Sequence, residues 1–122
     1  MTDSLLKAGE RIDQLFSSNI KIIQNKDVFS FSVDSVLLSR FPNIPAKKGL
    51  IVDLCSGNGA VGLFVAGQTK AHIIQVELQE RLADMNQRSI QLNDLNEQIS
   101  VIQDDLSNLP NHIGLSKVDL ML

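Results

Sequence analysis

The sequence predicts an α/β fold: a short N-terminal part of helices and a hairpin, followed by about four parallel strands. Three observations predict it. From residue 49 onwards, compact apolar runs alternate with segments of helical length. The first of those runs opens into a glycine-rich turn, "IVDLCSGNGAVGL" at 51–63. Before it, "PNIPAKKG" at 42–49 packs two prolines, a glycine and two lysines into a loop, which separates a segment of different rhythm from the rest.

The elements follow in order. Residues 5–16 carry Leu5, Leu6, Ile12, Leu15 and Phe16, a loose helical pattern interrupted by Gly9. "NIKIIQ" and "DVFSFS" read as two short strands around the turn Asn25-Lys26-Asp27. "VDSVLLSRF" reads as a short helix with Ser32 as its N-cap. After the proline loop come a strand, "LIVDL"; a helix, "AVGLFVAGQ"; a strand, "AHIIQVE"; and a longer helix, "QERLADMNQRSIQLND", with Leu82, Met85 and Leu92 near one face. "QISVIQ" is the third strand of this series and "SKVDLML" starts a fourth. Such alternation implies right-handed crossovers and a parallel sheet. A sheet of this kind normally continues with helices on both faces. The chain therefore reads as a piece of a longer product, with an open edge at Val118 to Leu122 that favours pairing between copies.

Bulk properties narrow the function. The 122 residues suit one domain with a modest core, and 43% hydrophobic with 20% charged residues is ordinary for a globular protein. No apolar run approaches the roughly 20 residues that span a bilayer. Acids interrupt the N-terminal apolar run, so it is not a signal peptide. The single cysteine, Cys55, forms no internal disulfide and fits the reducing cytosol; it is expected to be buried or half-buried. A net charge of −3 argues against a broad nucleic-acid-binding face on this chain alone, and leaves room for a local basic patch. His72 and His112 lack metal-ligand spacing, and no metal is expected. Lys47-Lys48 reads as a solvated loop pair.

Gly57-x-Gly59-x-x-Gly62 after the first strand of the series is the usual place for a ligand in an open α/β sheet. Glu77, at the end of the next strand, lies about 20 residues after the first glycine, where a ribose-binding carboxylate belongs. Two ligand classes use this arrangement: dinucleotides and S-adenosylmethionine. Asp53 separates them. A pyrophosphate at a helix N-terminus wants donors and positive charge, and a nearby carboxylate repels it. S-adenosylmethionine has no phosphate and carries two cations, a sulfonium and an ammonium. Asp104-Asp105, at the end of "VIQ", would accept from an adenine amino group. Each residue also has a plainer role. Asp53 would serve as an N-cap, Asp104 or Asp105 would cap a short helix starting near Leu106, and Glu77 alone would be a solvated charge.

The series "VDLCSGNGAVGL", "QVELQERLADMNQRSIQLN", "VIQDDL" and "VDLML" resembles the motifs of S-adenosylmethionine-dependent methyltransferases. With "ERIDQL" and "IKIIQNKDVFSFSVDSVLLS" the chain is similar, from about Gly9 to Leu122, to the bacterial tRNA adenine-N6 methyltransferases that act next to the anticodon of valine tRNA. The resemblance implies a Rossmann-like class I methyltransferase sheet, N-terminal part only. Residues 1–48 would close over the cofactor, and 49–122 would form the N-terminal half of the domain. It implies that Asp53, Gly57, Asn58 and Gly59 line the methionine end of S-adenosylmethionine, that Glu77 binds the ribose and that Leu78 packs on the adenine. Asp105, with Asp104 beside it, would read the adenine amino group. Asp34, with Phe31 and Ser32, would close the site from the N-terminal side; the alternatives are strand core for Phe29 and Phe31 and a helix-start acid for Asp34.

One departure stands out. The family's fourth strand runs into Asn-Pro-Pro-aromatic, which holds the target amine and stacks on the splayed-out base. Here "KVDLML" is followed by nothing, the prolines are Pro42, Pro45 and Pro110, and there is no Tyr or Trp. Catalytic residues are thus expected just after Leu122, none within the chain. The 122 residues alone are expected to be inactive, with RNA, above all tRNA, as the partner of the intact cytoplasmic enzyme and no membrane.

Overall fold

The computed structural model describes residues 5–14, 19–27, 38–40, 43–45, 47–114 and 117–122. Two strands, β1 (Glu10–Gln14) and β2 (Lys21–Asn25), pair antiparallel as an N-terminal hairpin, with Ile12 opposite Ile23. Then come β3 (Leu50–Leu54), α1 (Ala60–Ala66), β4 (His72–Glu77), α2 (Glu80–Leu92), β5 (Ile99–Gln103), a 3-10 helix (Leu106–Asn111) and β6 (Leu120–Met121). Strands β3 to β6 form one sheet in the order β5-β4-β3-β6, and every pairing in it is parallel. The expected α/β sheet is present, with β6 two residues long at one edge.

Residues alternate between the two faces of the strands, and each face has its own core. Ile51, Ile73 and Ile99 share a cluster with Leu63 and Val65 of α1 and Ile90 of α2, and Ile22 of the hairpin joins it. Val52, Ile74 and Val76 pack with Leu109 of the 3-10 helix. Asp53, Gln75 and Glu77 continue the first of these rows, so three polar side chains are delivered to the helix-covered face at the C-terminal ends of β3 and β4.

The N-terminal segment departs from expectation. Residues 10–14 form a strand, not part of a helix over 5–16. Gly9 adopts φ +78, which breaks a helix, and the Glu10 carboxylate turns back to accept the Lys7 N–H at 2.7 Å. Tertiary contacts then outweigh the loose helical spacing. β1 pairs with β2, and Glu10 is ion-paired to Arg88 of α2. The turn at Asn25-Lys26-Asp27 is present, closed by Asp27 N–H donating to Asn25 Oδ1 at 2.9 Å. Its expected second strand, most of the "VDSVLLSRF" helix and Asp34 lie outside the described residues, apart from the helical residues 38–40.

Among the described residues, side chains of α2 bond the outer edge of β2. Ile23 N–H donates to Ser89 Oγ at 2.9 Å. Lys21 N–H donates to Asn93 Oδ1 at 2.8 Å, and Asn93 Nδ2 donates back to the Lys21 carbonyl at 2.6 Å. Asn93, the C-cap residue of α2, thereby satisfies part of an edge that would otherwise stay open. No helix of the described residues is long and apolar enough to cross a membrane.

Candidate functional site

The C-terminal ends of β3, β4 and β5 converge on a two-lobed trough. One lobe, a cavity of about 370 Å3, is lined by Asp53, Gly57, Asn58, Leu38 and Leu82. The other, about 350 Å3, is lined by Leu78, Asp104, Asp105 and Leu106. Cys55 and Glu77 line both and form the waist.

The turn between β3 and α1 is shaped from below. Ser56 N–H donates to the Val76 carbonyl at 2.9 Å, which ties the turn to β4. Gly59 has φ +95, and a Cβ there would lie 2.1 Å from Asn86 Oδ1, so only glycine fits over the buried Asn86 amide. A Cβ on Gly62 would lie 2.0 Å from Gln75 Nε2. Gly57 differs: at φ +58 it has nothing among the described residues within 4 Å of a Cβ, so its side is open toward the cavity. Gly57 lines the trough, whereas Gly59 sits beneath it and does not.

Asp53 is 3% exposed. Its Oδ2 accepts from Gln75 Nε2 at 3.0 Å, and the nearby Gly62 N–H also favours the charged carboxylate. Burial pushes its pKa up to about 6, and the Gln75 hydrogen bond and the Gly62 N–H only partly oppose that. Asp53 thus sits beside the first turn of α1 and borders the cavity as well. Glu77 is also buried; its Oε1 accepts the Gly57 N–H at 2.9 Å and its Oε2 the Gln79 N–H at 2.8 Å. Both oxygens are held by backbone, so the carboxylate is fixed at the waist. Asn58 is buried and directs its amide to the Ile23 carbonyl at 3.4 Å, which links the turn to the hairpin.

In the second lobe, Leu78 and Leu106 are 62% and 40% exposed. Two large apolar side chains on facing elements leave a slot that suits a flat ring. Asp105 is the N-cap of the 3-10 helix, its Oδ1 accepting the Ser107 N–H at 2.9 Å, and that bond holds its carboxyl below the ordinary range. Asp104 lies beside His112, with Nε2 and Oδ2 2.9 Å apart, and accepts from Asn108 Nδ2 at 2.8 Å; these bonds pull its pKa down to about 2. His112, to which the sequence assigns nothing, orients Asp104.

The structure therefore brings Asp53, Gly57, Asn58, Glu77, Leu78, Asp104 and Asp105 together on one trough. Cys55 is exposed at its waist, with φ +54, and not buried as its residue type suggests. Leu106 was not legible as a lining residue, because nothing in the sequence says that the segment after Asp105 turns back over the strand ends. Gln75 and Asn86 did carry a signal: each is a polar residue at a core position of an apolar pattern.

Residues 19–121 match the family model described as the methyltransferase small domain. No curated protein sequence matches the chain. Among solved structures, one is of a Methanococcus maripaludis protein assigned to the S-adenosyl-L-methionine-dependent methyltransferases. It is 25% identical, with a TM-score of 0.59, over 73% of this chain and 38% of that one. TYW2 of P. horikoshii, solved with MeSAdo, is 19% identical with a TM-score of 0.74, over 94% of this chain and 42% of that one. TYW2 of M. jannaschii, solved with AdoMet, is 18% identical with a TM-score of 0.65, over 81% of this chain and 45% of that one. The last two show the fold, and the chain spans less than half the length of each of the three.

Proposed function

The chain belongs to the methyltransferase small domain family, and from that premise we propose that it is the cofactor-binding part of a cytosolic enzyme that transfers a methyl group from S-adenosylmethionine to the N6 amine of an adenine in RNA, specifically tRNA. The observation that carries the cofactor is the alignment of Asp53, Glu77 and Asp105 along one trough with an apolar slot at its far end.

The residues fit the cofactor. Asp53 is a buried carboxylate with a raised pKa, an environment that a cationic ligand relieves and an anionic one worsens. It serves the methionine end. Glu77, fixed by two backbone N–H groups, retains lone pairs for ribose hydroxyls. Leu78 and Leu106 take the two faces of the adenine, and Asp105 accepts from its amino group. S-adenosylmethionine, when bound, supplies an electrophilic methyl on sulfur. The chain's own contribution is to bind, orient and exclude water at that end of the trough. The group that accepts protons from the target amine belongs to the rest of the protein.

The RNA substrate rests on the resemblance of "FSFSVDSVLL" to the adenine-N6 enzymes, a stretch largely outside the described residues. Other amine or amide substrates, a different base or a protein glutamine, share the cofactor half. Two experiments test the reading. Calorimetry with S-adenosylhomocysteine and with NAD should show binding of the first only, and Glu77→Ala should weaken it at least tenfold. Unchanged affinity in that variant sinks the site. For the whole protein, transfer of labelled methyl to unmodified tRNA, followed by nucleoside analysis, should yield N6-methyladenosine; a different methylated product rejects the substrate.

A further inference from the structure

Gln75 lies in β4, an interior strand of the sheet, and is wholly buried. Its register partners are Asp53 on β3 and Val101 on β5. One step back along its row the strand is apolar, with Ile73 flanked by Ile51 and Ile99. An apolar side chain of the same length would suit that surrounding better, because a buried amide must be hydrogen-bonded to be tolerated. Gln75 meets that demand on one side only. Its Nε2 donates to Asp53 Oδ2 at 3.0 Å and to the Gly59 carbonyl at 3.4 Å, while its Oε1 has no partner among the described residues. The donor end is therefore the reason for the amide. It is also the reason for the third glycine of the motif, since Nε2 occupies the space that a Cβ on Gly62 would enter.

We infer that Gln75 is a positioning residue for cofactor binding: its amide fixes the Asp53 carboxylate under the glycine turn and keeps it ionised for a cationic ligand. The inference rests on the reading of the trough as an S-adenosylmethionine site. Among the described residues, few groups compete for this role. Helix α1, "AVGLFVA", and β6, Leu120–Met121, carry no charge. Across the packed α2 face, Asn86 and Ser89 are buried but uncharged. Glu77 and Cys55 are the other titratable residues among the described ones lining the lobe that Asp53 borders. No cation among these residues would hold Asp53 ionised, and a hydrogen bond to the charged form is what remains.

The test separates this role from packing. Gln75→Met keeps the volume and removes the donor. In the ligand-free chain, the Asp53 carboxyl titration followed by carbon-13 NMR should move up by about one unit. S-adenosylmethionine affinity should then fall about threefold at pH 6.5 and hardly at all at pH 8, because the competent, ionised fraction changes only near the midpoint. A purely structural loss lowers affinity equally at both pH values, and that result overturns the inference. So does an unmoved Asp53 midpoint. Gln75→Glu is the second variant: protonated it offers one O–H donor, ionised it repels Asp53. Its cofactor affinity should fall from pH 6 to pH 8, where that of the Met variant rises, and a flat profile counts against the role. If the wild-type chain fails to bind S-adenosylmethionine while the Asp53 midpoint still shifts in Gln75→Met, the cofactor reading falls and takes the binding role with it.

Discussion

Replacing Asp53 by asparagine should flatten the pH dependence of stability between pH 7 and pH 5. Asp53 has a folded-state pKa of about 6 against 3.8 for the unconstrained group. Between those values the folded chain binds more protons than the unfolded one, so stability rises as pH falls through 6. For a single group of this kind the gain from pH 7 to pH 5 is about 1.3 kcal/mol. Almost complete burial means that solvent screening removes little of it. The wild type contains this term and Asp53→Asn does not. Glu10, Asp84 and Asp104 have lowered carboxyl pKa values, so their stabilisation is present at neutral pH and lost on acidification. They are common to both chains and cancel in the difference. Urea denaturation of wild type and variant at pH 5, 6 and 7 gives that difference directly. It should change by about 1.3 kcal/mol in favour of the wild type as pH drops. A difference that stays constant across the three pH values refutes the argument that Asp53 is held charged in a low-dielectric setting.

Two further predictions concern the scaffold. Arg88 and Glu10 form a nearly buried ion pair, 11% and 4% exposed at their side chains, and Arg88 also donates to the Leu5 carbonyl and to Asp84. Arg88→Met should therefore cost about 3 kcal/mol in a denaturation curve, because it leaves a buried carboxylate without its partner; a loss below about 1 kcal/mol would show that the N-terminal segment is not held by this pair. The glycines of the turn should differ: Gly57→Ala meets open space and costs about 1 kcal/mol for its left-handed backbone, whereas Gly59→Ala also collides with Asn86 and costs about 3 kcal/mol. Equal losses measured by thermal unfolding would contradict the close approach of Asn86 to the turn.

The parallel sheet was legible because its signals are local. "LIVDL" and "HIIQVE" are short apolar runs bounded by turns, and their strands fall where the pattern places them. The carboxylates at their ends follow from strand length alone, since a crossover sheet brings consecutive C-terminal ends to one edge. The N-terminal segment was not legible, for the opposite reason. Whether residues 10–14 extend or coil depends on β2 and on Arg88, which lies 78 positions away. The sequence also left Asp105 open between a cap and a ligand contact. The structure shows that it caps the 3-10 helix, and the carboxylate has a second oxygen with which to do the other task.

The carboxylate at the mouth of the glycine turn also bears on why a phosphate does not belong there. A pyrophosphate at such a turn is held by N–H groups in the first turn of the following helix. In this chain Asp53 already faces one of them, the N–H of Gly62, and the Gly57 N–H is taken by Glu77. A phosphate would have to displace two carboxylates that the fold has placed where its own oxygens would go. A cation meets neither obstacle. It encounters a buried negative charge that accepts a hydrogen bond from Gln75 and whose desolvation is only partly offset. The same glycine spacing that admits both ligand classes in a sequence is thus decided by what the two acids do with the backbone around it.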